Sequence, residues 1–171
     1  MCVCWINGFA RRLYVPLLVL SLLGLPSLAL AFTGQVMRIS DGDTLSVWTD
    51  RREIKVRIYG IDTPERNQPW GREATRALAQ MVEGQRIRVD EVDQDRWGRI
   101  VGRIFVEGRD IGREMVRQGH AWVYRHYTND FSLISLEATA RNAHLGLWRL
   151  PESQRIAPWE WRRRQRSAVF P

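Results

Sequence analysis

Acidic and cationic side chains recur in three short motifs of this chain. The motifs read Asp41-Gly42-Asp43-Thr44, Asp62-Thr63-Pro64-Glu65 and Asp95-Arg96-Trp97-Gly98-Arg99. The pattern predicts that Asp43 lies at a turn and Asp62 at the end of a strand, where backbone carbonyl oxygens are free. Carboxylate and carbonyl oxygens are the ligands that hard cations such as Ca²⁺ prefer. Asp43 and Asp62 are therefore predicted to share one metal ion.

The residues around this pair suggest a hydrolytic role. Glu65 lies three residues beyond Asp62, and a carboxylate beside a metal and a phosphate can orient or deprotonate an attacking water. Arg57, on the polar face of a predicted strand, and Arg99 supply two guanidinium groups. Phosphodiester hydrolysis builds negative charge on the non-bridging oxygens, and stabilising developing charge is usually the largest catalytic effect. The set suits metal-assisted cleavage of a phosphodiester.

These motifs are also compatible with other structural roles. Each motif taken singly is also an ordinary turn or loop. An EF-hand beginning at Asp41 fails, because Ser46 occupies the sixth position instead of glycine and Arg52 the twelfth instead of glutamate. The three histidines have no spacing typical of a zinc site and are predicted to be structural or surface residues. They are His120, His126 and His144.

The charge of the chain points to a polyanionic partner. The net charge is +7 with a pI of about 10.4, and Lys55 is the single lysine. Arginine presents a planar, permanently charged fork that matches phosphate oxygens two at a time. Nucleic acid and an acidic membrane surface both fit this charge, and so does a solvated basic face.

The N-terminal segment is predicted to be a signal peptide covering residues 1–31. Arg11 and Arg12 precede an apolar run that ends in Ala29-Leu30-Ala31, a small-x-small site suited to signal peptidase. Cleavage before Phe32 would give a secreted or periplasmic protein with no stable membrane association. It would also remove both cysteines, Cys2 and Cys4. A retained anchor helix is the alternative, because the run is only just short of a bilayer span.

The pattern beyond residue 31 predicts a mainly β protein with helices, of the α+β class. In Glu53–Tyr59, apolar and polar residues alternate with the period of a half-buried strand. A final helix beginning at about Asp130 places Leu133, Leu136, Ala140, Ala143 and Leu147 on one stripe. The other predicted strands are Gln35–Ile39, Thr44–Trp48, Gln85–Val92 and Arg99–Val106, with strand-like residues at Ala121–Tyr124. The other predicted helices begin at about Pro69 and Asp110.

Five short strands and about three helices predict a closed five-stranded barrel of OB-fold design, with an open α+β sheet as the weaker alternative. OB-folds commonly bind nucleic acids. The domain is predicted to cover residues 32–150. Residues 151–171 are predicted to form an irregular tail rich in arginine and tryptophan. This tail either extends a nucleic-acid surface through stacking and phosphate contacts or is disordered and dispensable.

The order and spacing of the motifs resemble those of the staphylococcal nuclease (thermonuclease) family over about Gln35–Trp148. The matching stretches include Val56-Arg57-Ile58-Tyr59-Gly60-Ile61 before the second motif and Gly146-Leu147-Trp148 near the end. The resemblance implies one Ca²⁺ held by Asp43, Asp62 and the backbone carbonyl of Thr63, with Asp41 close by. It implies that Glu65 acts on the attacking water, while Arg57 and Arg99 bind phosphate and stabilise the transition state.

The resemblance further implies an endonuclease that acts on DNA and RNA, cleaves the 5′ P–O bond and leaves 3′-phosphate ends. A substrate in single-stranded or frayed form and a monomeric protein are expected, and no protein partner is implied. Trp97 stands where the family's best-known member has tyrosine, and the segment Arg66–Trp70 is shorter than that member's loop. Trp97, Tyr124 and Tyr127 are predicted to contact the nucleotide, although Tyr124 and Tyr127 could be ordinary barrel-rim aromatics.

Two functions of other classes also fit the basic charge of the chain. A non-catalytic nucleic-acid-binding OB module would use the same arginines but has no need for Asp43, Asp62 and Glu65 together. A basic surface protein anchored by an uncleaved N-terminal helix would bind anionic lipid. Neither accounts for the three carboxylates.

Overall fold

Five strands close into a barrel in the computed structural model, which describes Met1 and residues 30–169. The barrel strands are β1 (Ala31–Ile39), β2 (Thr44–Trp48), β3 (Glu53–Ile58), β5 (Arg86–Gln94) and β6 (Ile100–Val106). Neighbours pair antiparallel in the order β3-β2-β1-β5-β6, and β3 also pairs in parallel with β6. This last pairing closes the ring, so the predicted five-stranded OB-type barrel is confirmed and the open sheet is wrong.

Three two-residue strands complete the sheets of the described chain. They are β4 (Ile61–Asp62), β7 (Arg109–Asp110) and β8 (Trp122–Val123). Strand β7 extends the edge at β6, whereas β4 and β8 pair only with each other. Because β4 follows β3 after a two-residue turn, it places Asp62 just beyond the end of the barrel strand that carries Arg57.

Within residues 30–169, four helices and two 3₁₀ turns pack around the barrel. The helices are α1 (Gly71–Val82), α2 (Ile111–Arg117), α3 (Phe131–Asn142) and α4 (Pro158–Val169), and the 3₁₀ turns are Gly146–Arg149 and Glu152–Gln154. Asp110 caps α2 by accepting from the Arg113 amide, and Asp130 caps α3 by accepting from the Ser132 and Leu133 amides. Both helices begin next to the aspartates at which the sequence predicted their starts, because a short carboxylate can accept from the free amides of a first turn.

The core lies inside the barrel and under α1 and α2. Leu45, Val56 and Ile104 are fully buried, in keeping with the alternation of apolar and polar residues along their strands. Ala74, Leu78 and Val82 of α1 pack against this core. A smaller cluster of Ala140, Leu147 and Trp148 lies beside it. The loops that join these elements carry the polar motifs.

Two sequence predictions about the C-terminal third are wrong. Helix α3 ends at Asn142, so Ala143 is exposed and Leu147 reaches the core from a separate 3₁₀ turn. Residues Pro158–Val169 form the helix α4 and not an irregular tail. Gly146, with a φ of +53°, allows the change of direction after α3.

The predicted signal peptide lies almost wholly outside the described residues. The structure describes the chain from Leu30, and β1 begins at Ala31, which pairs with Asp90. Strand β1 therefore starts four residues before the predicted strand. Within the described residues, no helix has the length and apolar character needed to cross a membrane.

We predict that Gly71→Ala destabilises the protein, although alanine normally favours a helix. A Cβ at this first residue of α1 would lie 1.8 Å from the backbone oxygen of Glu65. Relieving that overlap should cost about 1–3 kcal/mol of unfolding free energy, as overpacking generally does. Chemical denaturation measures the change. Arg72→Ala, on the exposed side of the same turn, is the control and should stay within about 0.5 kcal/mol.

Candidate active site

Loops at one end of the barrel bring the three motifs together. The turn between β1 and β2 carries Asp41 and Asp43, and β4 with the loop after it carries Asp62, Thr63 and Glu65. Thr44 at the start of β2 pairs in register with Arg57 near the end of β3. Because β3 pairs with β6, Arg99, immediately before β6, lies at the same end of the barrel.

The carboxylate of Asp43 is buried and accepts four hydrogen bonds. Its Oδ1 accepts from Arg57 Nη1 at 2.7 Å and from Thr44 Oγ1 at 3.0 Å. Its Oδ2 accepts from the backbone nitrogen of Thr63 at 3.0 Å and from Thr63 Oγ1 at 3.2 Å. These contacts lock the first motif onto the second and fix the orientation of Asp43.

Arg57 links the two predicted metal ligands. Its Nη1 pairs with Asp43 at 2.7 Å, and its Nη2 pairs with Asp62 Oδ1 at 2.8 Å. Burial by itself would lower the pKa of Arg57, but the charges of Asp43 and Asp62 outweigh it and raise the pKa above its ordinary value. The guanidinium is therefore permanently charged and contacts both carboxylates at once.

Asp62 is the most enclosed carboxylate of the site, with a side chain 0% exposed. Burial raises its pKa, although the arginines that contact it act in the opposite direction. One of these arginines was not a predicted site residue. Arg162 of α4 pairs with Asp62 Oδ2 at 2.7 Å through Nη2 and with Glu65 Oε1 at 2.7 Å through Nη1.

Glu65 is only partly covered, and this distinguishes it from the two aspartates. About a third of its side chain is exposed, and the ion pair with Arg162 holds it beside Asp62. Its backbone nitrogen donates to Gln68 Oε1 at 3.1 Å, which fixes the loop before α1. Glu65 thus combines a defined position with access to water, as a residue acting on solvent must.

Asp41 lies at the edge of the cluster and is unusually easy to protonate. Burial, together with the neighbouring charge of Asp43, raises the pKa of Asp41 from 3.8 to about 7. Its Oδ1 accepts from the backbone nitrogen of Asp43 at 3.1 Å. Gly42 between them is required by packing, since a Cβ there would lie 2.8 Å from Thr63 Oγ1.

Arg99 reaches the cluster through Thr44. Its Nη1 donates to Thr44 Oγ1 at 3.4 Å, and its Nε pairs with Asp95 at 2.7 Å. Burial opposes ionisation of Asp95, but hydrogen bonds from Arg99 and the turn amides lower its pKa. Asp95 therefore orients Arg99. Trp97, at the tip of the same turn, is 67% exposed, with the guanidinium of Arg96 4.3 Å from its ring.

An aromatic cluster of Tyr124, Tyr127 and Trp159 lies on the α4 side of the site. The ring of Tyr124 stacks on Trp159 with centroids 5.3 Å apart and planes at 6°, and it meets Tyr127 edge-on at 4.9 Å. Tyr127 is exposed, whereas Tyr124 is half-buried. The two tyrosines therefore lie together, and Trp159 joins them from α4.

The three histidines do not contact the carboxylates. His120 accepts a hydrogen bond at Nδ1 from the indole nitrogen of Trp70, at 3.1 Å. Burial and the charge of Arg149 lower the pKa of His120, so it is neutral at pH 7. His126 contacts Tyr124 and Tyr127, and His144 is exposed at the end of α3.

The oxygen donors of this site suit a hard cation in kind. The buried carboxylates of Asp43 and Asp62 contact one guanidinium, and Asp41 adds a third carboxyl group, whose pKa is raised by burial and by the charge of Asp43. Oxygen donors of this type bind Ca²⁺ or Mg²⁺. Within residues 30–169, however, no three Asp, Glu, His or Cys side chains converge closely enough to hold an ion. Arg57 and Arg162 hold the carboxylates instead.

Arg162 and Trp159 were not among the predicted site residues, although the sequence carried a signal for them. Pro158 starts a segment in which tryptophans alternate with polar residues and arginines follow. That composition suggested a nucleic-acid surface and gave no reason to place the segment against the carboxylates. The contact depends on how residues 143–157 return the chain to the barrel, which periodicity does not encode.

Comparisons with known proteins agree with this geometry. The family model described as "Staphylococcal nuclease homologue" matches residues 55–150. An Escherichia coli protein described as "Uncharacterized endonuclease" is 37% identical over 155 residues, which cover 90% of this chain and 99% of that protein. "Micrococcal nuclease" of Shigella flexneri is 38% identical over 149 residues, covering 81% of this chain and 84% of the relative.

A plant relative matches over a shorter share of its own length. "Probable staphylococcal-like nuclease CAN1" of Oryza sativa subsp. japonica is 39% identical over 118 residues, 69% of this chain and 35% of that protein. Barrel, site and comparisons together define an OB-barrel nuclease, a hydrolase whose substrate is nucleic acid. This chain belongs to the staphylococcal nuclease family.

We predict that Asp41→Asn changes the pH dependence of stability when a chelator is present. The folded protein binds the Asp41 proton more tightly than the unfolded chain, since folding raises the pKa from 3.8 to about 7. The stability from this group is therefore complete below its ordinary pKa and is lost as pH rises to about 7. Asparagine cannot ionise, so the variant should gain stability relative to the wild type between pH 4 and pH 8.

Thermal unfolding at pH 4, 6 and 8 measures this difference. Asp50→Asn makes the same change at an exposed turn residue and should leave the wild-type profile unaltered. A wild type and an Asp41→Asn variant that differ equally at all three pH values would contradict the prediction.

Proposed function

We propose that this nuclease is an exported, Ca²⁺-dependent endonuclease that cuts the phosphodiester bonds of DNA and RNA. The observation that carries the proposal is the buried carboxylate pair Asp43 and Asp62, joined by Arg57, with the more exposed Glu65 beside it. A barrel that only bound nucleic acid would gain nothing from burying negative charge where a phosphate must approach, since charge burial is costly.

The residues proposed to hold Ca²⁺ are Asp43, Asp62 and the backbone carbonyl of Thr63, with Asp41 nearby. The hydrogen bonds from Thr63 to Asp43 hold the two ligand-bearing loops in contact. When bound, the ion would supply positive charge that polarises a phosphate oxygen. Burial of both carboxylates favours this role, because their mutual repulsion is relieved by an added cation.

Glu65 is proposed to act on the attacking water. Its carboxylate accepts or orients one proton of the water while the water oxygen attacks phosphorus in line. The bond from phosphorus to the 5′ oxygen breaks, and the 5′ oxygen takes up a proton as it leaves. The products would carry a 3′-phosphate and a 5′-hydroxyl. The exposed fraction of Glu65 and its fixed backbone support this assignment.

Arg57 and Arg99 are proposed to stabilise the charge that develops on phosphate. Arg57 is held between two carboxylates, and Arg99 is aligned by Asp95 and reaches Thr44. Guanidinium groups oriented before the substrate arrives need little rearrangement in the transition state. Both side chains are partly exposed, so a phosphate can reach them.

Aromatic side chains on either side of the carboxylates favour a single-stranded or frayed substrate. Trp97 projects from the turn before β6, and Tyr124 and Tyr127 lie in the aromatic cluster. Unpaired bases stack on such rings, whereas bases inside a duplex are unavailable. The full chain has a net charge of +7, to which the proposed signal peptide contributes only Arg11 and Arg12, so the exported protein remains basic and its binding to phosphate should weaken as salt is raised. A monomer is proposed as the working form.

We predict Ca²⁺-dependent cleavage of denatured DNA that is lost in chelator. Glu65→Gln should lower the turnover rate by about 10²–10⁴-fold, the usual contribution of a general base. Arg99→Gln should lower it by about 10²–10³-fold, the usual effect of losing one transition-state donor. A gel or fluorescence assay on single-stranded DNA measures the rates, and end-labelling identifies the 3′-phosphate.

Matched control variants separate these effects from general loss of charge. Glu83→Gln and Arg51→Gln make the same replacements at exposed positions, after α1 and in the turn at the opposite end of β2 and β3. Both should cleave at close to the wild-type rate. Intact DNA with salt-sensitive binding in Ca²⁺ would contradict the proposed cofactor. Wild-type rates in Glu65→Gln would contradict the proposed base.

Export is proposed from residues 1–31, with the mature protein in the periplasm or the medium. We predict that the exported protein begins at Phe32, because Ala29-Leu30-Ala31 offers a small-x-small cleavage site. N-terminal sequencing of the protein recovered outside the cytoplasm tests this. A start upstream of Arg11 in a membrane fraction would instead indicate a retained anchor and contradict the proposed localisation.

A further inference from the structure

Helix α4 lies across the carboxylates and contacts both halves of the site. Arg162 pairs with Asp62 and Glu65, each at 2.7 Å. One turn earlier, Trp159 stacks on the ring of Tyr124. Positions 159 and 162 are three residues apart and so share one face of the helix. The same face therefore covers a proposed metal ligand, the proposed base and a proposed nucleotide contact.

The hydrogen bonds of Asp43 and Asp62 leave almost no room for a metal ion while Arg162 is in place. A carboxylate offers about four acceptor positions. Asp43 uses four, with donors from Arg57, Thr44 and Thr63. Asp62 accepts once from Arg57 and twice from Arg162. Arg162 supplies most of the donors on Asp62, and it is the donor that belongs to neither the barrel strands nor their loops.

We propose that Arg162 is the counter-cation of the metal-free site, which Ca²⁺ must displace from Asp62, so that α4 releases Asp62 and Glu65 when the ion binds. The inference rests on the proposed Ca²⁺ site. A guanidinium and a divalent cation repel each other and compete for the oxygens of Asp62. Each therefore weakens the binding of the other, as thermodynamic linkage requires.

The surroundings of α4 allow such a release. The segment before the helix is fixed, because Gln68 Nε2 donates to the backbone oxygen of Ile156 at 2.6 Å and Ala157 is buried. Beyond Arg162, the side chains of residues 163–167 are exposed. Helix α4 is held at its start and through Trp159, which also meets Trp122 edge-on at 5.9 Å, and its residues belong to neither hydrophobic cluster. An outward movement of α4 would therefore break these aromatic contacts and leave the barrel core intact.

Release of the helix would also uncover Tyr124. The face of Tyr124 that stacks on Trp159 is the surface on which a base would stack. One movement thus frees the carboxylates for the ion and an aromatic face for the substrate. Arg57 is shared between Asp43 and Asp62, so in the closed form Arg162 supplies a second positive charge to this buried pair of carboxylates, since unpaired buried charge is destabilising.

Calcium titration calorimetry on full-length variants tests the inference without relying on activity. Arg162→Gln keeps a polar side chain of similar reach but loses the charge and the forked donor. Arg164→Gln is the matched control, because it removes the same charge from the same helix. Arg164 is exposed and forms no ion pair with any of the described residues.

Arg162→Gln should bind Ca²⁺ about fivefold or more tightly than the wild type, in the range typical of coupled sites. Arg164→Gln should match the wild type. Equal affinity in all three proteins, or weaker binding by Arg162→Gln, would overturn the role of Arg162 and leave the Ca²⁺ site standing. No binding of Ca²⁺ by any of the three would overturn the proposed cofactor as well.

If Arg162→Gln does not fold, hydrogen exchange on the wild type still tests the inference. Amides of residues 159–169 should exchange faster in saturating Ca²⁺ than in chelator, because the helix loses its contacts with Asp62, Glu65 and Tyr124. Amides of β2 and β3 should not exchange faster. Unchanged or slower exchange in α4, with Ca²⁺ bound, would overturn the inference.

Discussion

The rest of the site depends on how the protein stabilises two buried carboxylates. Asp62 is completely enclosed and Asp43 nearly so, and a buried charge is tolerated only when it is paired and hydrogen-bonded. Arg57 pairs with both, and Thr63 supplies two further donors to Asp43. These bonds join the loop after β1 to the loop after β4. Because these bonds hold the cluster rigidly, the carboxylate oxygens stay in position. Their negative charge still attracts a cation.

Barrel closure brings the cationic residues to that cluster. Arg57 and Thr44 are opposite each other on β3 and β2, and the parallel pairing of β3 with β6 brings Arg99 to the same end. Arg99 is then oriented by Asp95 within its own turn. The cluster thus draws its two proposed phosphate contacts from different strands, which explains why a closed barrel and not an isolated hairpin is needed to assemble it. Closure of the barrel thus concentrates at one end the charged groups that are proposed to act on nucleic acid.

Much of this arrangement could be predicted from sequence, and the failures have identifiable causes. The alternation in β3 and the capping residues Asp110 and Asp130 report local geometry, which the chain encodes within a few residues. The helix α4 was missed because its segment is polar, and its single stabilising face is made of contacts with distant residues. The prediction of one long final helix was wrong because Leu147 continues the apolar stripe after Asn142 has ended α3.

The sequence by itself determined the family, the barrel class and the identity of the motif residues, because donor type and spacing are properties of the chain. Tertiary structure decided that Arg57 spans Asp43 and Asp62, that Asp41 has a pKa of about 7, and that Arg162 meets Asp62 and Glu65. Arg162 lies 100 residues after Asp62. Burial and charge pairing over that separation arise only when the barrel has closed and α4 has folded back onto it.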